Sequence, residues 1–221
     1  EIMGLHIPGA SFVNPGTRLR DALTKEAAKR ALAITHLGNA YTPAGRMIDE
    51  RSIVNGVVGL NATGGSTNHT IHLIAIAAAA GIRLTWQDIS DISDIVPLLA
   101  RIYPNGMADV NHFQAAGGMG FLIRELLDAG LLHGDVQTIW GEGLRPYAVE
   151  AKLGENGFVV RQPAPEKSRD EKVLAPMRQA FQPSGGLKVL SGNLGHAIIK
   201  VSAVKPERRI VEAPAIVFDD Q

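Results

Sequence analysis

Apolar residues recur at helical spacing through the first part of the chain. Leu19, Ala22, Leu23, Ala27, Ala31 and Ile34 share one face of a helix that Thr17 can cap and Gly38 can stop. Asp49 and Glu50 suit the positive end of a second helix, with Ile53, Val57, Val58 and Leu60 on its inner side and Gly64-Gly65 as its end. A third starts at Ser66 and stops at Gly81. Its Ile71, Leu73, Ile74, Ile76 and four consecutive alanines are apolar nearly all round, which predicts a central, buried helix. Thr85 to about Ser90 reads as a short helix, and Ile95-Val96-Pro97-Leu98-Leu99 as a strand that Pro97 confines to an edge or an end. Ala108 to Ala116 and Gly120 to Ala129 read as two helices around Gly117-Gly118, the second with Leu122, Ile123, Leu126 and Leu127 inward and Gly130 as its stop.

After about Gly154 the period changes. Phe158-Val159-Val160, Leu187-Lys188-Val189-Leu190, Ala197-Ile198-Ile199-Lys200-Val201 and Arg209-Ile210-Val211 are short β-rich runs separated by turn residues. Arg161 to Lys172, rich in proline and mixed charge, reads as a surface connection. The pattern predicts an α/β protein in two zones: a mainly helical one to Gly154 and a strand-rich one from there to Phe218. No internal repeat or low-complexity tract is visible.

Composition narrows the function. The 221 residues, 45% of them apolar and 20% charged, suffice for a real core. Twenty-two Lys and Arg balance 22 Asp and Glu, so no net field gathers polyanions, and a nucleic-acid partner is disfavoured. The longest apolar run, Leu73 to Gly81, falls far short of the roughly 20 residues that cross a bilayer. No basic-then-apolar leader opens the chain, so no membrane partner and a cytoplasmic location are expected. With no cysteine, the chain cannot form disulfides, thiolate zinc sites or an iron–sulfur cluster ligated by itself alone. It opens on Glu1 rather than methionine and closes on Asp219-Asp220-Gln221 just after the strand-like Ala215-Ile216-Val217-Phe218, as an internal piece of a longer chain would.

Three segments could carry chemistry. Ala62-Thr63-Gly64-Gly65-Ser66-Thr67-Asn68-His69 places two glycines and small polar side chains at a helix mouth. Free N–H groups and about half a positive charge there suit a phosphate or carboxylate; the plainer reading is that Ser66 caps the helix and the glycines permit the turn. At the mouth of a buried helix the turn is expected to face the cleft between the two zones rather than bulk solvent. His69 and His72, three apart, could share a metal ion, but the sequence supplies no third ligand. Asn111-His112-Phe113-Gln114 followed by Gly117-Gly118 offers His112 as an acid, a base or a hydrogen bonder to a sugar hydroxyl, or else as part of a capped helix start; no carboxylate partner is visible. Ser191-Gly192-Asn193-Leu194-Gly195 reads as a turn between strands, with Asn193 tolerating a left-handed backbone and Ser191 lacking any base.

At these segments the chain resembles the dihydroxy-acid and phosphogluconate dehydratase family, and the resemblance spans essentially all 221 residues. It rests on the segment Ala62 to His69 with His72 and Leu73 behind it, and on Ser191-Gly192-Asn193-Leu194 followed by Lys200-Val201-Ser202. Met3-Gly4-Leu5-His6-Ile7-Pro8-Gly9-Ala10-Ser11-Phe12-Val13-Asn14-Pro15, Tyr103-Pro104-Asn105-Gly106 and Asn111 to Gly118 resemble the 6-phosphogluconate branch. The resemblance implies residues 1–154 as the later part of an N-terminal α/β domain, and 155–221 as the linker and first strands of a β-rich, swivelling-barrel-like C-terminal domain. It implies a homodimeric 4Fe-4S hydro-lyase of the Entner–Doudoroff pathway that converts 6-phospho-D-gluconate to 2-dehydro-3-deoxy-6-phospho-D-gluconate and water, with a divalent cation as a further expectation. In the family the cluster cysteines lie upstream of Glu1, and the catalytic serine segment and a metal-ligating glutamate downstream of Gln221. That leaves Ser66, Thr67, Asn68, His69 and His112 as the substrate-binding candidates here, and an inactive piece. A dihydroxy-acid or other sugar-acid dehydratase is the second reading, and a non-catalytic small-molecule-binding domain the third.

Overall fold

A computed structural model describes residues 1–217. Seven α-helices come first: α1 (Arg18–Ala33), α2 (Ala44–Met47), α3 (Glu50–Ala62), α4 (Thr67–Ala79), α5 (Trp86–Ile95), α6 (Val110–Ala116) and α7 (Gly118–Asp128). Six strands follow: β1 (Gln137–Thr138), β2 (Gly141–Glu142), β3 (Val149–Leu153), β4 (Val159–Pro163), β5 (Leu187–Gly192) and β6 (Gly195–Lys200). They form three antiparallel pairs, β1–β2, β3–β4 and β5–β6, among the described residues. Helices and small sheets thus share one α/β chain.

The helix starts follow from capping side chains. Thr17, Asp49, Thr85 and Asp109 each accept a backbone N–H of the helix they precede, which satisfies donors that the first turn leaves open. The core centres on α7, where Phe121, Leu122, Ile123 and Leu126 are fully buried against Val58 and Ala62 of α3, the segment Val96 to Ala100, and Tyr147. At about 1.5–3 kcal/mol for each such side chain, this helix contributes more to the core than any face of α4 can.

Several expectations are corrected. α4 is not buried all round: it buries only Thr70, Leu73 and Ala77, while Ile71 is 56% exposed and His72, Ala75 and Ala78 to Ala80 face outward. Alanine composition raises helix propensity and mean hydropathy but brings little area to hide, and α4 packs on α3 and β6 along one side only. The helix begun at Thr85 continues to Ile95, because Ile89, Ser90 and Ser93 keep the helical period on its inner side. Ile95 to Leu99 is no strand, and only isolated bridges at Leu98 and Ala100 pair with Gln182 and Leu174. Strands begin at Gln137, before Gly154; β3 itself alternates apolar and polar residues from Val149 to Leu153, and Gly154 stands in the hairpin turn to β4, with its N–H donating to Phe158 O at 2.8 Å. Arg161 belongs to β4, where it pairs with Glu26 at 2.9 and 2.6 Å and donates to Pro8 O at 3.0 Å, so the surface connection starts later than Arg161. Arg209-Ile210-Val211 and Ala215 to Val217 are not strands; Phe218 and the residues after it lie outside the described residues. The turn expected over Ser191 to Gly195 is there but shorter: β5 runs to Gly192 and β6 starts at Gly195, which leaves Asn193-Leu194 as the loop and puts the positive φ on Gly195 rather than Asn193.

The strand-rich part is tied to the helices. Leu98 N donates to Gln182 O at 3.0 Å and Ala175 N to Leu99 O at 2.8 Å. Leu187 N donates to Ser93 Oγ at 3.0 Å and Val189 N to Ser90 Oγ at 3.3 Å, docking β5 on α5. The polar residues that α5 buries are therefore acceptors for a strand, as buried hydroxyls must find partners. This docking brings the end of β6 to the start of α4.

Candidate functional site

The turn between α3 and α4 is built by its glycines. Gly64 has φ +58°, and a Cβ there would meet Asn105 Nδ2 at 2.2 Å, so both backbone and space demand glycine. Gly65 N donates to Leu60 O at 2.9 Å, closing α3, and Ser66 Oγ accepts Asn68 N at 3.2 Å, opening α4. The turn's outward carbonyl, Gly64 O, accepts two long-range donors: Asn105 Nδ2 at 2.9 Å and Lys200 Nζ at 2.7 Å. Ser202 Oγ in turn donates to Asn105 Oδ1 at 2.9 Å. Three segments distant in sequence meet at one carbonyl.

They enclose a cleft of about 470 Å³. Gly64, Gly65, Ser66 and Thr67 form one wall, Ile102, Tyr103 and Pro104 another, and Lys200 and Ala203 the third. Burial pushes the Lys200 ammonium below the ordinary lysine range, because the charged form loses hydration. No histidine or carboxylate is among these lining residues. What the cleft supplies is one positive charge, hydroxyl groups and the open amides of a helix start, a combination that receives an oxyanion.

The five sequence candidates do not converge. Ser66 and Thr67 line this cleft, and Asn68 is exposed on the next position. His69 lines a second groove of about 410 Å³ with Ile2, Met3, Phe12, Leu73 and Phe113. Burial first, and the neighbouring His72 second, push the His69 imidazole below its usual value, which favours the neutral ring. His112 lines neither space. It sits in the first turn of α6, where its backbone N–H donates to Asp109 Oδ1 at 3.0 Å and its Nδ1 lies 2.8 Å from the same oxygen. The hydrogen bond from the His112 amide, then that from its ring, hold the Asp109 carboxyl down at about 2. A carboxylate partner does exist for His112, three residues upstream, and the Asp-x-x-His spacing of a capping box was its signal.

Sequence reading also passed over Asn105 and Lys200. Both stood in segments quoted for their likeness to a family, yet nothing local marks either as facing the glycine turn. For metals, the described residues contain no group of three His, Asp or Glu side chains. With no cysteine in the chain, the donor set does not fit a thiolate-held iron–sulfur cluster.

Residues 1–150 match the dihydroxy-acid/6-phosphogluconate dehydratase N-terminal family, and residues 172–221 the C-terminal family of the same name. A phosphogluconate dehydratase of Rhizobium meliloti is 72% identical over 221 residues, and one of Pseudomonas aeruginosa 61% identical over the same length; each alignment covers 100% of this chain and 36% of the relative. A dihydroxy-acid dehydratase of Caldanaerobacter subterraneus is 33% identical over 223 residues, covering 100% of this chain and 37% of that protein. The chain therefore spans little more than a third of the length of the curated relatives it matches.

Proposed function

The chain belongs to the dihydroxy-acid/6-phosphogluconate dehydratase family, and we propose that it is a portion of a hydro-lyase acting on 6-phospho-D-gluconate. The observation that carries this reading is the gap in identity: 72% and 61% to proteins named phosphogluconate dehydratase, against 33% to one named dihydroxy-acid dehydratase, over the same stretch of chain. In the reaction the substrate loses the proton beside its carboxylate and the hydroxyl on the next carbon, together one water. The enol so formed becomes the 2-keto product, 2-dehydro-3-deoxy-6-phospho-D-gluconate.

In this reading the present residues bind and orient. The cleft walled by Ser66 and Thr67 receives an anionic end of the sugar acid, and its hydroxyls hold acceptor oxygens in place. Asn68, His69 and His112 remain substrate-binding candidates whose approach needs the rest of the longer protein. A 4Fe-4S cluster and a divalent cation, where the longer protein binds them, would polarise the leaving hydroxyl; their ligands are not among these residues, so no step is drawn through them. The same reading holds residues 1–154 and 155–221 to be parts of an N-terminal and a C-terminal domain. It places the active enzyme in the cytoplasm as a homodimer.

The test uses the longer protein carrying this sequence, assayed side by side with 6-phosphogluconate and a branched-chain dihydroxy acid. Preference for 6-phosphogluconate is expected; turnover of the dihydroxy acid alone overturns the assignment. Asn68→Ala should lower kcat/KM for 6-phosphogluconate at least tenfold, while shifting stability by no more than about 0.5 kcal/mol, the ordinary range for an exposed side chain. A variant that melts well below the parent yet keeps normal kinetics at low temperature would make this turn a structural cap only.

A further inference from the structure

Lys200 ends β6 and reaches back across the sequence to the turn before α4. Its placement is fixed by the β5–β6 pair, in which Leu187 opposes Lys200, and by the docking of β5 on Ser90 and Ser93 of α5. The ammonium is half-buried on the wall of the cleft, yet none of the salt bridges among the described residues includes it. Some cations of the chain find carboxylates, as Arg161 does in Glu26, Arg169 in Glu150 and Lys188 in Asp94, while others, such as Arg20 on Val13 O and Ala10 O, hold carbonyls. Lys200 has the Gly64 carbonyl, which Asn105 already serves. An ammonium carries three N–H donors, and a charge withdrawn from water is unfavourable until a counter-charge meets it.

We infer that Lys200 is the cation of an oxyanion subsite in this cleft, binding a phosphate monoester or carboxylate group held between its ammonium and the Ser66 and Thr67 hydroxyls. The cleft of about 470 Å³ has room for such a group, and no carboxylate among its lining residues would repel it. When the anion enters, a free N–H of the Lys200 ammonium donates to it and its charge meets a counter-charge, while Asn105 keeps the turn in place. That the oxyanion belongs to a sugar-acid phosphate rests on the functional reading above; that the cleft takes an oxyanion does not. Burial lowers the pKa of Lys200, in keeping with a cation that has a carbonyl but no counter-charge beside it, and an entering anion would raise it again.

The experiment titrates the 221-residue chain with inorganic phosphate and, separately, with acetate, following phosphate by ³¹P line width and the protein by amide shifts of Ser66 and Thr67. Saturable shifts are expected. Lys200→Met should weaken affinity about tenfold or more, whereas Lys200→Arg should stay within about threefold. Asn105→Ala separates charge from clamp: it removes the other donor to Gly64 O and leaves the cation, so phosphate affinity within about threefold is expected. Melting curves of each variant accompany the titrations, and loss in Asn105→Ala equal to that in Lys200→Met would overturn the assignment in favour of a clamp. Equal binding by the parent chain and Lys200→Met, or no saturation with either anion, overturns it too. Preference for phosphate over acetate assigns the subsite to the phosphate end of a ligand, and the reverse to its carboxylate end. Phosphate binding through Lys200 in a protein whose longer form ignores 6-phosphogluconate would sink the functional reading and leave the subsite standing; the opposite result would sink the subsite alone.

Discussion

At the scale of single residues, one oxygen of Asp109 accepts the amides of Asn111 and His112 and stands 2.8 Å from the His112 ring. His112 is thereby part of the cap of α6, with its ring Nδ1 turned to the capping carboxylate. The carboxyl sits at about 2 in the folded chain, below the ordinary value of about 3.9. A group depressed on folding contributes its stabilisation above the unfolded pKa and loses it as pH falls through the folded one. The cap on α6 should therefore persist through pH 4 and release near pH 2. Amide shifts of Asn111 and His112 followed from pH 6 downward should show a midpoint near 2, and a midpoint near 4 would mean that the carboxylate does not accept these bonds. Asp109→Asn should abolish the transition without removing the cap, since asparagine caps helices about as well as aspartate.

Among the elements, α7 and β3 approach so closely that their contact admits no side chain. A Cβ on Gly120 would lie 2.1 Å from Val149 O and 2.8 Å from its carbonyl carbon, both backbone atoms of β3 that cannot rotate aside. Gly120→Ala should lower stability by roughly 1–3 kcal/mol, the usual range for overpacking, even though alanine favours helices. Urea denaturation should show a lower midpoint with an unchanged slope; an equal or higher midpoint would mean that α7 and β3 are not held this close. At Gly117 and Gly118, between α6 and α7, the requirement is instead a positive φ, +147° and +60°. For α4 the sequence reading erred. Its apolar period was real, but period says which residues share a face, not how many faces the neighbours cover.

On the scale of the whole chain, 221 residues without a thiolate should not hold an iron–sulfur cluster. The isolated chain is expected to dehydrate no 6-phosphogluconate above a protein-free control, even after anaerobic treatment with iron and sulfide. Product formation that scales with this chain would refute that. The sequence by itself determined the helix starts at Thr17, Asp49, Ser66 and Thr85, the stop at Gly64-Gly65, a turn within Ser191 to Gly195, the lack of any thiolate and the family. Each of these is local, or is carried by residue identity over the full length, so nearby side chains or the string of letters suffice to fix it. The tertiary structure alone decided that β5 docks on buried serines of α5, and that Lys200 and Asn105 meet one carbonyl 136 and 41 residues away. Those arrangements depend on which distant surfaces cover one another. A side chain's own sequence neighbourhood carries no record of the partner that long-range packing will bring to it.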